Sequence, residues 1–282
     1  MDIEDINKKI NGISYLMHRS DLTCIHDERL IYRLINFIQD KSIIDKKTFD
    51  KYQKIIEKDL KFDNHLRQSQ LNYYSRKLYS EEKISIDELE LIKPFCITKK
   101  MRSQSGIIEI AIMTSPGDFS CEFDCYYCPN QKDMPRSYVK EEPAVRRAAQ
   151  NNFDTVLQTF DRIGQYVANG HYGDKGEFII LGGTWSNYSY EYQREFMRDL
   201  YYACNIFFDR ERKERYSLEE EKRINETALF KVVGLTVETR PDMITVEEIK
   251  RYIEYGVTRV QLGIQTTHDK LLKKINRKCY SI

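Results

Sequence analysis

Three cysteines could do chemistry here. Cys121, Cys125 and Cys128 stand in the spacing C-x3-C-x2-C, within Cys121-Glu122-Phe123-Asp124-Cys125-Tyr126-Tyr127-Cys128 and just ahead of Pro129. Three thiolates in one short loop can hold three irons of a cubane iron–sulfur cluster and leave the fourth iron open to a substrate or cofactor. A structural zinc site closes its fourth position with another protein ligand, and no fourth Cys or His lies nearby. A zinc site completed by a distant His is the competing reading. A disulfide framework fits poorly, because the seven cysteines are an odd number and Met1-Asp2-Ile3-Glu4-Asp5 has no signal-peptide character. The other cysteines, Cys24, Cys96, Cys204 and Cys279, are scattered and read as reduced thiols.

Composition narrows the classes around that loop. The net charge is +1 with 32% charged residues, so any nucleic-acid contact has to come from a local patch rather than from bulk charge. No apolar run approaches bilayer length. These features predict a soluble protein of a reducing compartment, the cytoplasm, with no membrane or DNA partner. At 282 residues the chain has room for one large domain, or one domain with an appendage.

The elements that position the cysteines are legible from periodicity. Residues 1–100 read as helical: Leu30, Ile31, Leu34, Ile35 and Ile38 recur at helical spacing, as do Tyr52, Ile55, Ile56 and Leu60, and Pro94 closes the section. Its Lys and Arg residues alternate with acids, which by default makes a solvated helix face and less readily a tRNA-contacting one. Beyond about residue 105 strands and helices alternate. Strands are predicted at Ile107–Thr114, Glu177–Leu181, Lys231–Glu238 and Thr258–Gln265. Helices are predicted at Glu142–Val167, Tyr190–Cys204 and Thr245–Tyr255 and from His268 onward, with a charged insertion over 205–226. Alternation of this kind predicts an α/β fold with a parallel sheet. The cysteine loop, Gly182-Gly183-Thr184, Glu238-Thr239-Arg240-Pro241-Asp242 and Gln265 then all fall at C-terminal strand ends, where parallel βα folds bind ligands.

The cysteine spacing resembles that of the radical S-adenosylmethionine (SAM) enzymes. The resemblance implies a [4Fe-4S] cluster whose open iron is chelated by SAM, with one electron cleaving a sulfur–carbon bond to leave a 5'-deoxyadenosyl radical. Cys121, Cys125 and Cys128 would be the ligands. Tyr127 would pack on the adenine, although loop packing alone also accounts for one of 20 Tyr. Gly182, Gly183 and Thr184 would bring backbone groups to the methionine end of SAM, against the plainer reading of a turn. Glu238 would accept from ribose hydroxyls or the amino group, and Arg240 would pair with the carboxylate, unless the two pair with each other. Arg259 and Gln265 are placed on the same rim.

Within the superfamily the chain resembles the catalytic subunit of Elongator, a radical SAM and acetyltransferase enzyme that modifies wobble uridines of tRNA. The matching segments are Arg102-Ser103-Gln104-Ser105-Gly106-Ile107, Cys125-Tyr126-Tyr127-Cys128-Pro129, Glu142-Pro143 with Arg147-Ala148, and Gln158-Thr159 with Arg162-Ile163. They continue through Asp174-Lys175 with Glu177-Phe178-Ile179, Gly182-Gly183-Thr184, Glu238-Thr239-Arg240-Pro241-Asp242, Gly256-Val257-Thr258-Arg259, Gly263-Ile264-Gln265 and Asn276-Arg277. The first hundred residues resemble the family's helical tRNA-contacting region less specifically. The resemblance implies 5-carboxymethylation of tRNA uridine with acetyl-CoA as co-substrate, and Lys175 matches the family's acetyl-CoA-contacting lysine. Without it, Lys175 reads as a solvated charge ahead of a strand.

Two departures qualify the match. The family's first cluster cysteine usually lies well upstream of the C-x2-C pair, whereas Cys121 has the compact spacing of the wider superfamily. The sequence also stops just after Asn276-Arg277, at Lys278-Cys279-Tyr280-Ser281-Ile282. The expected fold is therefore an incomplete partial (β/α) barrel of about four βα units, without the acetyltransferase domain, leaving strand four as an unpaired parallel edge. Three readings follow: a radical SAM half completed by a partner carrying the acetyltransferase part or by other Elongator-like subunits; a non-catalytic remnant binding a cluster and tRNA; and a radical SAM enzyme on another substrate.

Overall fold

The computed structural model describes residues 27–41, 45–117, 121–171, 173–209 and 211–279. The predicted helical stretch before residue 27, with Cys24, lies outside the described residues. The chain divides into two compact units, one of residues 1–106 with Ile163–Gly173, the other of Ile107–Arg162 with Asp174–Ile282. The first unit takes in the end of a later helix as well as the N-terminal stretch.

In the helical unit, α1 (Arg29–Gln39) buries Leu30, Ile31, Leu34, Ile35 and Ile38, the stripe its periodicity predicts. The next helix, α2 (Lys46–Asp59), turns a different face inward from the one predicted. Phe49, Gln53, Ile56 and Glu57 are buried while Ile55 is exposed. The choice follows from Phe49, which stacks on Phe95 at 4.5 Å, and from Glu57, which accepts from Gln53 Nε2 at 2.6 Å and Leu66 N at 3.0 Å. After α3 (Gln68–Ser80), α4 (Ile86–Cys96) opens on a Ser85/Glu88 capping box and contains Pro94 in its last turn rather than ending before it. Lys46 Nζ donates to the Phe95 carbonyl at 2.8 Å, satisfying one acceptor exposed at that helix end.

The second unit is an α/β layer built on a four-stranded parallel sheet, β1 (Ile108–Met113), β2 (Lys175–Leu181), β3 (Lys231–Thr239) and β4 (Arg259–Leu262), in the order β1-β2-β3-β4. This is the α/β arrangement that the sequence predicts, consistent with a partial (β/α) barrel. Alternation sets its faces: Ile108, Ile110 and Ile112, Phe178 and Ile180, and Leu235 and Val237 are buried. Helices α5 (Pro143–Gln150) and α6 (Thr155–Ala168) link β1 to β2, α7 (Tyr190–Ile206) and α8 (Leu218–Asn225) link β2 to β3, and α9 (Val246–Tyr255) links β3 to β4, before α10 (Asp269–Lys274).

Three predicted elements change. The single helix expected at Glu142–Val167 breaks between α5 and α6, where Asn152 and Phe153 take φ of 51° and 55° and Asp154 Oδ1 accepts from Leu157 N at 2.8 Å. Asn-rich turn chemistry wins because Phe153 then packs with Met113, Val145 and Ala148. The charged insertion over 205–226 contains α8, organised on fully buried Glu221, which receives Arg212 at 2.6 and 2.7 Å and Asn205 Nδ2 at 2.8 Å. Strand four is half its predicted length, and its four residues are exposed at the sheet edge.

Gln158 of α6 locks β1 at its C-terminal end: its Nε2 donates to Met113 O and its Oε1 accepts from Met113 N, both at 2.9 Å and buried. Gln158→Ala leaves both backbone groups unpaired, and is expected to cost about 2–4 kcal/mol in chemical denaturation. A loss below about 0.5 kcal/mol would show that the pair is dispensable.

Candidate cluster and cofactor site

The C-terminal ends of β2, β3 and β4 border a cleft of about 280 Å³. Its walls hold all three loop cysteines together with Tyr127, Gly183, Thr184, Glu238, Arg240 and Gln265. Nine of the predicted site residues therefore share one cavity.

Backbone and side-chain ties shape the cysteine loop. Tyr126 N donates to Ile275 O at 3.1 Å, and Asn276 Nδ2 to Asp124 O at 2.7 Å, so the segment after α10 clasps the loop. Arg136 Nη2 donates to Asp124 Oδ1 at 2.6 Å and also interacts with the Cys128 thiol. Each sulfur has a donor. Thr184 Oγ1 lies 3.5 Å from Cys121 Sγ; Arg277 Nη1 and Arg240 Nη1 lie 3.7 and 3.9 Å from Cys125 Sγ. Three guanidiniums around three thiols suit anionic sulfur, which is what cluster ligation requires. Among the described residues no three His, Cys, Asp or Glu side chains converge where one ion could sit. A cubane takes one thiolate on each of three irons, which is the donor set this loop supplies.

Gly182 and Gly183 have different duties. Gly182 has φ of 127°, and its carbonyl accepts from Thr114 Oγ1 and Tyr188 OH, both at 2.9 Å. It holds the end of β2 against Thr114, while Gly183 at φ 83° lines the cleft. Arg240 is buried and fully engaged: Nε and Nη2 donate to Asp242 at 2.9 and 2.6 Å, Nη2 also reaches Arg277 O at 2.9 Å, and its guanidinium sits 3.5 Å from the Phe123 ring centre. Neither Glu238 nor Arg240 takes the other as partner. Tyr127 is half exposed on the cleft wall, with burial pushing its phenol above the ordinary value.

Glu238 instead accepts from Tyr138 OH at 3.0 Å. Burial pushes its carboxyl above the ordinary value and the Tyr138 bond pulls it part of the way back. A carboxyl raised in the folded state binds its proton more tightly there than in the unfolded chain. Its penalty is absent below the unfolded value and grows as pH rises through the folded one. Tyr138→Phe removes the group that eases ionisation, so its stability loss is expected to be larger at about pH 8 than near pH 4. Equal losses at both pH values in urea melts would contradict this assignment.

Two predicted placements change. Arg259 starts β4, roughly 10 Å down the strand from Leu262, and pairs with Glu177 at 2.8 Å instead of joining the rim. Gln265 does reach the cleft, but from a turn after β4 with φ of 70°, not from the strand end. Lys175 opens β2, roughly 20 Å from Leu181 at the cleft end, and is exposed. Other residues of the cleft carried no role in the sequence reading: Phe123, Arg136 and Gln261, and above all Arg277, whose only signal was its place in the Asn276-Arg277 motif.

The Radical SAM superfamily pattern matches residues 119–281. The chain is 40% identical over 197 residues to the tRNA uridine(34) acetyltransferase of Methanocaldococcus infernus (68% of this chain, 35% of that protein), and 41% identical over 179 residues to that of Dehalococcoides mccartyi (64% and 37%). It is 32% identical over 198 residues to human Elongator complex protein 3 (67% and 35%). The chain thus spans little more than a third of the length of these relatives. A match over more than half of the chain, on the segments that wall the cleft, makes this chain a member of the radical SAM superfamily.

Proposed function

We propose that this chain is the radical SAM part of a tRNA uridine-modifying system, using SAM and acetyl-CoA to build a carboxymethyl group on uridine. The observation that carries the reading is the single cleft in which Cys121, Cys125 and Cys128 face Gly183, Thr184, Glu238 and Arg240 at the ends of adjacent parallel strands. Cys121, Cys125 and Cys128 would hold a [4Fe-4S] cluster, which supplies the electron for SAM cleavage when bound. Thr184 and the guanidiniums of Arg136, Arg240 and Arg277 steady the sulfurs, Tyr127 offers a ring to a nucleoside base, and Glu238 accepts from hydroxyl or amino groups. The names of the relatives support tRNA as the substrate class and an acetyl group as what is transferred. Lys175 is the proposed contact for acetyl-CoA, and the helical unit the proposed tRNA contact. A partner protein would supply the acetyltransferase part. No helix among the described residues is long and apolar enough to cross a membrane.

Co-expression with an acetyltransferase partner, followed by nucleoside mass spectrometry of total tRNA, tests the substrate. Carboxymethylated uridine that disappears with Cys125→Ala supports the reading. Its absence with every such partner would refute it.

A further inference from the structure

Three guanidiniums approach the cysteine loop, and one differs from the other two. Arg136 is matched by Asp124 and Arg240 by Asp242. Arg277 is 7% exposed, yet no carboxylate pairs with it among the described residues. Its Nη2 donates to the Gly263 carbonyl, its Nη1 points at Cys125 Sγ from 3.7 Å, and its buried Nε has no partner. A buried cation without a counter-charge is costly, and so is an unmade bond from a buried N–H. Anionic sulfur beside Nη1 would supply the missing counter-charge. The two preceding residues tie this segment to the loop: the Ile275 carbonyl accepts from Tyr126 N and the Asn276 side chain donates to Asp124 O, on either side of Cys125.

We propose that Arg277 is the counter-cation of the cluster, donating to sulfur at its Cys125 corner and raising its reduction potential. Resting on the cluster reading above, this makes Ile275–Arg277 part of the redox site. Reduction adds one negative charge to the cluster. A guanidinium less than 4 Å from a ligand sulfur in a buried site stabilises the reduced form more than the oxidised one. Hydrogen bonds to cluster sulfurs act in the same direction.

The test is a potentiometric titration of the anaerobically reconstituted full chain, followed by EPR, with iron content measured on every sample. Arg277→Gln is expected to keep its iron and titrate at a more negative potential, and Arg277→Lys to fall between it and wild type. Gly263→Ala leaves the charge in place but sets a Cβ 3.1 Å from Arg277 Nη2, so it is expected to shift the potential negative by a smaller amount. Arg251→Gln, on the surface of α9, is expected to match wild type. An Arg277→Gln protein with full iron and the wild-type potential would overturn the proposal. If that variant assembles no cluster, an unchanged potential in Gly263→Ala overturns it instead. A wild-type chain that takes up no cluster overturns this proposal and the functional reading together, whereas a wild-type cluster with unmoved potentials overturns this one alone.

Discussion

Cys125→Ala is expected to bring iron after anaerobic reconstitution down to background and to abolish 5'-deoxyadenosine formation. Cys121→Ala and Cys128→Ala are expected to do the same. Loss of any one of three ligands leaves a second iron uncovered, and among the described residues no cysteine outside this loop lines the cleft. Cys125 has the largest claim, being buried and facing two guanidiniums. Cys96→Ala is the matched control. That thiol is buried in the helical unit, where burial pushes it up to about 12, and the variant is expected to bind iron at the wild-type level. Full iron in Cys125→Ala, or stoichiometric zinc in place of iron in the wild type, would contradict the ligand assignment.

Gly182→Ala is expected to be the most destabilising single methyl in the sheet unit. An added Cβ would lie 2.0 Å from Thr114 Oγ1, which real Cβ atoms essentially never do, and φ of 127° disfavours any side chain at that position. Backbone strain of about 1–3 kcal/mol adds to an overpacking cost of about 1–3 kcal/mol, so the loss in urea denaturation should be on the order of 3 kcal/mol or more. The clash has a named partner, which makes the result diagnostic. Thr114→Ala alone gives up buried bonds to Gly182 O and Tyr188 OH, yet in the double variant it removes the obstructing oxygen. The two losses should therefore sum to more than the double variant shows. Strict additivity, or a Gly182→Ala loss under about 0.5 kcal/mol, would place the glycine's role elsewhere.

The cysteine loop and the strand positions could be read from the chain because both are local. Ligand spacing is a property of consecutive residues, and each strand declares itself by its own apolar run. What the chain hid was chosen between elements. Whether Arg240 meets Glu238 or Asp242 depends on the turn after β3, and Tyr138, a hundred residues away, takes Glu238 instead. Arg259 carries the same charge at either end of β4, and only the register with Thr236 puts it beside Glu177 and away from the cleft. The burial of Ile56 in place of Ile55 was settled by Phe49 stacking on Phe95. Arg277 stayed silent for the same reason, since its contact with Cys125 spans 152 positions.

The central claim is that the cleft holds a redox cluster with an iron open to SAM. Anaerobic reconstitution, with EPR of the reduced protein before and after adding SAM and an assay of 5'-deoxyadenosine, tests it most directly. The account requires a [4Fe-4S] signal that SAM perturbs, together with release of the nucleoside. A cluster whose spectrum is indifferent to SAM, or no cluster at all, would contradict it.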